Sequence, residues 1–489
     1  MSATGTAAST AQRQPTFLGQ PRVLGNLFGV EMWERFSFYG MQGILLIYLY
    51  YTAAEGGLGI DTAVATGIVG AYGGTVYLAT ILGAWTSDRL IGSERTLFYS
   101  AILVMCGHVS LALVPGIAGV ALGLVLVAVG SGGVKANATA LVGTLYDVHD
   151  ERRDAGFSIF YMGINIGALL GPLITGYLQS RRGFHYGFAA AAVGMFLGLS
   201  LYALGRKSLP AVSHHVPNPL SAGGVIKFAG AAALGAAVFL ALVLTGVIAV
   251  ARLADAAAWI SGLAAVAYFL VMLTDKAITR VERRRVLAFV PMFVSSTVFW
   301  SLYQQQFTVI TIYSDKRLDR HIFGWEMPVP WVQSINPIFI IVLAGAFAAL
   351  WTKLGERQPS TPTKFALGTI SMGVAFLAFI PMAGSGANSA PFLGLVGILL
   401  LFTVAELLLS PVGLSLSTKL APARFRTQMV ALFFLSIALG TALSGLLAGF
   451  YDPSHEVPYF AVLGLAAIGV GVVLQLCVRP IRKLMEGVH

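Results

Sequence analysis

The sequence predicts an all-α polytopic membrane protein with about fourteen spans. Three observations carry this reading. Of 489 residues, 57% are hydrophobic and 11% charged, whereas a soluble domain has about 25% charged residues; the mean hydropathy is +0.79. Apolar runs long enough to cross a bilayer, about 20 residues each, recur along the whole chain. Lysine and arginine alternate between rich and poor loops, as the positive-inside rule requires.

Taken in order, residues 1–22 are rich in Ala, Ser and Thr and lack the apolar core of a signal peptide, so they read as a flexible cytoplasmic tail. The apolar cores follow at 24–51, 64–86, 96–115, 117–145, 156–179, 185–205, 224–250, 256–275, 287–313, 330–352, 363–383, 391–418, 427–450 and 457–478. Ala84-Trp-Thr-Ser-Asp88-Arg89 after the second run is echoed by Leu350-Trp-Thr-Lys353-Leu-Gly-Glu356-Arg357 after the tenth. If the seventh and eighth runs are an insertion, each echo follows the second helix of a six-helix half, a plan used by transporters with parallel repeats. The chain then divides into the tail at 1–22, an N-terminal six-helix bundle at 23–206, linkers and an inserted hairpin at 207–285, and a C-terminal bundle at 286–489. The inserted pair is Ala-, Val- and Leu-rich and reads as a lipid-facing hairpin outside any transport path. With the N-terminus inside, 23 Lys and Arg fall in cytoplasmic segments and six fall outside, which places both termini in the cytoplasm.

Several function classes drop out. Cys106 and Cys477 lie in separate apolar runs, so neither a disulfide framework nor a metal-ligand cluster is expected. The net charge of +10 is spread over helix ends and does not form one soluble face; it suits membrane lipid and argues against nucleic acid. No Gly-x-x-x-x-Gly-Lys-Ser/Thr loop and no nucleophile–base constellation is present, so an enzyme is not expected, nor is a cofactor. His108, inside an apolar run, reads as a core histidine.

Charges inside the spans point elsewhere. Glu31, Glu34 and Arg35 interrupt the first run, each at a cost of roughly 2.5–3.5 kcal/mol near the bilayer centre. Glu31, Arg35 and Tyr39 are four apart and share a helix face, with Glu34 and Phe38 on the next stripe. Lys135 lies mid-span in Gly130-Ser-Gly-Gly133-Val-Lys135-Ala-Asn137, where the glycines admit another backbone or a ligand. Glu406 and Ser410 share a face in the twelfth run, and Pro411 can kink that helix. One such pair could be a structural ion pair. Together they favour a transport site.

These stretches resemble a known family, the proton-coupled oligopeptide transporters of the major facilitator superfamily. Glu31-x-x-Glu34-Arg35-Phe36 is similar to the family's first-helix signature, and Gly83-Ala-Trp-Thr-Ser-Asp88-Arg89-Leu-Ile-Gly92 resembles the superfamily's loop between helices two and three. Phe157-Ser-Ile-Phe-Tyr161-Met-Gly-Ile-Asn165-Ile-Gly167 resembles its fifth helix, and Glu406-Leu-Leu-Leu-Ser410-Pro411-Val-Gly413 its tenth. The resemblance implies the major facilitator fold with two inserted helices, and import of di- and tripeptides with protons across the cytoplasmic membrane by alternating access, by a protein functional as a monomer. It implies proton coupling through Glu31, Glu34, Arg35 and Lys135, with Lys135 pairing with the first-helix glutamates. Arg35 and Lys135 would hold the peptide carboxylate, and Glu406, with Ser410 beside it, the ammonium. Asn165 and Asn336 would hydrogen-bond the peptide, Tyr39, Tyr77 and Trp300 would line its pockets, and Asp88 with Arg89 would form a cytoplasmic hinge and gate. A cavity basic on one side and acidic on the other fits a zwitterion.

The departures matter as well. Gln42, Gln304 and Phe433 stand where members often carry Arg, Glu and Trp. The two amides are expected to hydrogen-bond to each other in place of a charged contact between helices one and seven. The alternative is a superfamily carrier of another small polar substrate, such as a drug, an anion or an amino acid; an anion carrier would not need Glu406.

Overall fold

The structure, a computed structural model, describes residues 16–147, 150, 152–245, 249, 252–322, 324–384 and 386–487. Most of the expected tail lies outside them. Apolar runs fold as helices because a bilayer offers no partner for backbone N–H and C=O groups, so the chain satisfies them internally. The helices are α1 Arg22–Tyr50, α2 Thr62–Thr86, α3 Ser93–Leu113, α4 Gly116–Gly143, α5 Arg153–Arg182, α6 Phe184–Gly205, α7 Ala222–Leu244, α8 Leu253–Thr274, α9 Arg280–Tyr303, α10 Val309–Lys316, α11 Ile335–Leu354, α12 Thr361–Leu377, α13 Phe392–Leu420, α14 Arg426–Ala448, α15 Glu456–Leu476 and α16 Val478–Leu484.

Among the described residues, twelve spans are long and apolar enough to cross a membrane, with α9 and α10 counted as one. Helix α1 has 29 residues and is not among that twelve. Helix α7 has 23 residues. These two bring the membrane-length helices among the described residues to the number expected. Helices α1–α6 form one bundle and α9–α15 the other, with α7 and α8 inserted between them in sequence. The chain is a multi-pass membrane protein.

Two expected helices are interrupted. The ninth breaks into α9, a 3-10 turn at Gln304–Phe307, and α10. A second 3-10 turn, Val329–Ser334, precedes α11. Irregular backbone at membrane depth is tolerated where protein buries it or a cavity lies beside it. Helix α13, by contrast, runs on through Pro411.

In lipid, small residues drive helix packing because they let backbones approach. The glycine run on α4 serves this purpose. A Cβ on Gly132 would strike the backbone of Ala79 on α2, and one on Gly133 would strike Ser100 on α3. The sequence left open whether a backbone or a ligand approaches here, and it is neighbouring helices, through the Ala79 backbone at Gly132 and the Ser100 side chain at Gly133. The two bundles meet in the same manner, since a Cβ on Gly70 of α2 would come within 2.6 Å of Gly445 on α14.

Four further hydrogen bonds tie the bundles together at one end of the molecule. The hydroxyls of Tyr50 and Tyr51, where α1 ends, donate to Asp315 Oδ2 and Oδ1 of α10 at 2.7 and 2.6 Å. Trp331 Nε1 donates to the Leu173 carbonyl of α5 at 2.9 Å, and Ser334 Oγ to Leu169 at 2.8 Å.

The inserted hairpin differs from the expectation of a purely lipid-facing element. Ala254 and Ala257 of α8 pack with Ala71 of α2 and Ala442 of α14, so α8 covers the seam between the bundles. Lower on α8, Phe269 sits 5.6 Å from Phe293 of α9, centroid to centroid. Small side chains on three helices permit that close fit. Phe228 of α7 rests on Trp85, 4.2 Å apart.

Loops of the C-terminal bundle are tied by a buried charge. Arg317 Nη2 lies 3.0 Å from Glu456 Oε1, both side chains 2% exposed, and Arg317 Nη1 donates to the Gly384 carbonyl. Breaking a buried pair from one side leaves the other charge uncompensated. Arg317→Ala should therefore lower stability by about 3–5 kcal/mol, read as a lower thermal unfolding midpoint in detergent. An unchanged midpoint would remove the pair from any stabilising role.

Candidate functional site: a cavity between the bundles

A cavity of about 320 Å³ opens between the two bundles. Its walls come from both halves: Glu31, Arg35, Tyr39 and Gln42 from α1, Tyr77 from α2, Lys135 from α4, Asn165 from α5, Trp300 and Tyr303 from α9, Asn336 from α11, and Glu406 and Ser410 from α13. All ten sequence-expected substrate or coupling residues among these line one space. Glu34 is fully buried just behind the wall. Asp88 and Arg89 lie away from it, in the turn after α2, where their carbonyls accept from Asn218 and Leu220 at 2.9 and 3.0 Å and so hold the linker after α6.

Helix α1 places its charges by period. Arg35 Nε lies 2.8 Å from Glu31 Oε1, one turn back, and 2.9 Å from Glu34 Oε2. Ser131 Oγ of α4 donates to Glu34 Oε1 at 2.6 Å. The guanidinium is thus anchored through Nε, and its Nη2 has no acceptor. Lys135 differs from the implied pairing with the glutamates. Among the described residues it forms no ion pair; its Nζ stands 4.4 Å over the Tyr77 ring instead. An aromatic face attracts a cation, but less than a carboxylate would in a site of low dielectric. Lys135 is therefore the loosely held cation of the cavity.

The opposite wall carries Glu406. Tyr303 Oη donates to its Oε2 at 2.7 Å, and Asn336 Nδ2 to the same oxygen at 3.3 Å. Asn336 Nδ2 also reaches Thr403 Oγ1 at 3.0 Å. The side chain of Asn336 thus bonds across helices and does not cap its own broken backbone. Among the described residues no cation pairs with Glu406. Asn165, by contrast, donates to its own helix, at the Tyr161 carbonyl, 2.9 Å away.

Sequence reasoning missed Tyr303, Gln306, Gln333 and Ser131. The first two had a visible signal, because Tyr303-Gln304-Gln305-Gln306 is four consecutive hydrogen-bonding residues inside an apolar run. The expected hydrogen bond between Gln42 and Gln304 is absent among the described residues. Gln304 faces the cavity beside Tyr77, and Gln42 Oε1 has no partner. Phe433 lines the cavity where a larger Trp was the family alternative. His108 is buried with neither ring nitrogen bonded, so it is a core residue without the partner expected of one.

The cavity is closed at one end. Gln42, Gln306 and Gln333, at the end of the tyrosine–Asp315 bridge, are 4, 6 and 7% exposed. Tyr161 and Leu414, towards the end that carries the α2–α3 loop, are 45 and 39% exposed.

The profile of the POT family matches residues 94–469. The chain is 44% identical over 478 residues to an uncharacterised transporter, YclF, of Bacillus subtilis strain 168, covering 97% of both chains. It is 39% identical over 494 residues to a di-/tripeptide transporter of Lactococcus lactis subsp. cremoris, covering 97% of this chain and 99% of the relative. A crystal structure of a peptide transporter POT in complex with sulfate superposes with a TM-score of 0.93 at 42% identity, over 97% of this chain and 98% of that one.

Proposed function

Because the chain belongs to the POT family, we propose that it is a proton-coupled symporter importing di- and tripeptides by alternating access of two major facilitator bundles. The observation that carries this reading is the polarity of the cavity. Arg35 and Lys135 stand on the wall of the N-terminal bundle with hydrogen-bonding capacity unused. Glu406 stands on the other wall with one oxygen committed to Tyr303 and Asn336. A peptide zwitterion bridges the two, its carboxylate to Arg35 and Lys135 and its ammonium to Glu406. Ser410 flanks the ammonium end, Asn336 and Asn165 face the peptide, and Tyr39, Tyr77 and Trp300 enclose its side chains.

Charge balance supports the proton. Glu31, Glu34 and Glu406 oppose Arg35 and Lys135, so three carboxylates face two cations. A zwitterion adds no net charge. One proton makes the loaded site neutral, and a neutral site closes in lipid at the least cost. The proton resides on Glu31 or Glu34, beside Arg35, and Lys135 couples it to substrate, since Lys135 leaves the Tyr77 ring when a peptide carboxylate arrives. One charge crossing 100 mV supplies roughly 2.3 kcal/mol, enough for about 50-fold accumulation of a neutral zwitterion.

Both termini are taken as cytoplasmic, from the arginine and lysine bias, in the cytoplasmic membrane. The exposed end of the cavity then faces inward, and Asp315 with the two tyrosines forms the outer gate. One chain encloses the whole cavity, which supports a functional monomer, and Asp88–Arg89 works as the inner hinge. Asp315→Ala should raise labelling of a cysteine placed in the cavity by an external, membrane-impermeant reagent severalfold, because the gate loses both tyrosine bonds. Unchanged labelling would assign the gate to other contacts. The function itself is tested by uptake of labelled Ala-Ala into proteoliposomes, with and without an imposed proton gradient. No uptake in either condition would reject it.

A further inference from the structure

The four charged side chains that line the cavity, Glu31, Arg35, Lys135 and Glu406, leave its closed end without charge. That end is walled by the carboxamides of Gln42, Gln304, Gln306 and Gln333, contributed by α1 and by the two 3-10 turns that interrupt the helices of the C-terminal bundle. Gln42 lies seven residues beyond Arg35 on α1, about 10 Å along the axis. The hydrogen bonding there is incomplete. The Oε1 atoms of Gln42 and Gln333 are buried and have no donor, although Gln333 Nε2 is anchored to Thr311 Oγ1 at 3.2 Å. A carbonyl left unpaired in the protein interior is costly, and such groups call for an explanation. Gln305 shows what a purely structural amide does in this turn. It points away from the cavity, donates to Ser301 at 3.2 Å and accepts from Tyr459 at 2.7 Å.

Resting on the peptide-transport reading above, we infer that this carboxamide recess is a side-chain subsite for an uncharged hydrogen-bonding group of the peptide, a carboxamide or hydroxyl. An amide end group turns easily about its last torsion, which is broad and roughly two-fold. Gln42 can therefore present oxygen or nitrogen to the incoming group, while Gln333, held through its Nε2, presents its oxygen. The backbone zwitterion stays at the level of Arg35, Lys135 and Glu406, and a side chain of three or four heavy-atom bonds reaches outward to the amides. A charged side chain finds no counter-ion among the cavity-lining residues at that end and is disfavoured. An aliphatic one leaves the two carbonyls unpaired.

The test is competition against labelled Ala-Ala uptake in proteoliposomes by Gln-Ala, Ala-Gln, Leu-Ala, Ala-Leu, Lys-Ala and Ala-Lys. In wild type, at least one glutamine peptide should inhibit about tenfold more strongly than its leucine counterpart. Gln42→Leu and Gln333→Leu should each erase most of that preference while Ala-Ala is still carried. Gln42→Glu should raise inhibition by the matching lysine peptide about tenfold, a gain that misfolding cannot imitate. Equal inhibition by the glutamine and leucine peptides in wild type overturns the subsite, and so does a glutamine preference that persists in both leucine variants. Failure of wild type to carry Ala-Ala at all would instead reject the peptide-transport reading on which the subsite rests.

Discussion

Glu34→Gln should leave the protein folded and able to exchange dipeptide, yet unable to accumulate it. Glu34 is fully buried, and its two oxygens face Ser131 at 2.6 Å and Arg35 Nε at 2.9 Å. A glutamine keeps the shape and still accepts from Ser131, but carries neither the charge nor the exchangeable proton. The cavity set then has two carboxylates against two cations and is neutral without a proton, so closure no longer requires one. Accumulation under a 100 mV potential should fall from about 50-fold to near unity. Counterflow of labelled Ala-Ala against internal Ala-Ala should persist. Full proton-driven accumulation in this variant would move the coupling site to Glu31 or Glu406. The neutral Gln304 should not matter for coupling, so Gln304→Ala should keep proton-driven uptake.

Glu406→Gln should weaken binding of free dipeptides by about 2–5 kcal/mol, the usual cost of removing one partner from a desolvated charge pair. The more telling comparison uses acetylated peptide. In wild type, blocking the ammonium should cost a similar amount. In Glu406→Gln the further loss on acetylation should be small, because the partner of the ammonium has already gone. Tyr303 can still donate to the glutamine oxygen, so the wall itself should hold. A double-mutant style comparison isolates the pair term. Equal acetylation losses in both proteins would take Glu406 out of the ammonium role.

The membrane class, the number of long helices and most of the cavity wall were legible in the sequence, and for one physical reason. A bilayer penalises charge heavily, so Glu31, Glu34, Arg35, Lys135 and Glu406 stand out against apolar runs and must share an interior. Helical period then set which of them face the same way. Finer pairing was not legible. Lys135 rests on Tyr77 and not on Glu34, a choice made by three-dimensional distance between α2 and α4. Tyr303 and Asn336 meet at Glu406 from three different helices, which no spacing within one helix reveals. The seam-covering role of α8 escaped notice because alanine reads the same facing lipid as facing another helix. The breaks at Gln304–Phe307 and Val329–Ser334 were not expected, although three consecutive glutamines mark the first and Pro328 and Pro330 the second.

The central claim is that peptide and proton cross together. It is tested most directly with the protein in liposomes that contain a trapped pH-sensitive dye. Adding Ala-Ala outside, with a potential negative inside and no initial pH difference, should acidify the lumen at the rate of peptide uptake. Acetylated, amidated Ala-Ala should leave the pH unchanged. Peptide uptake with no proton entry would contradict the account.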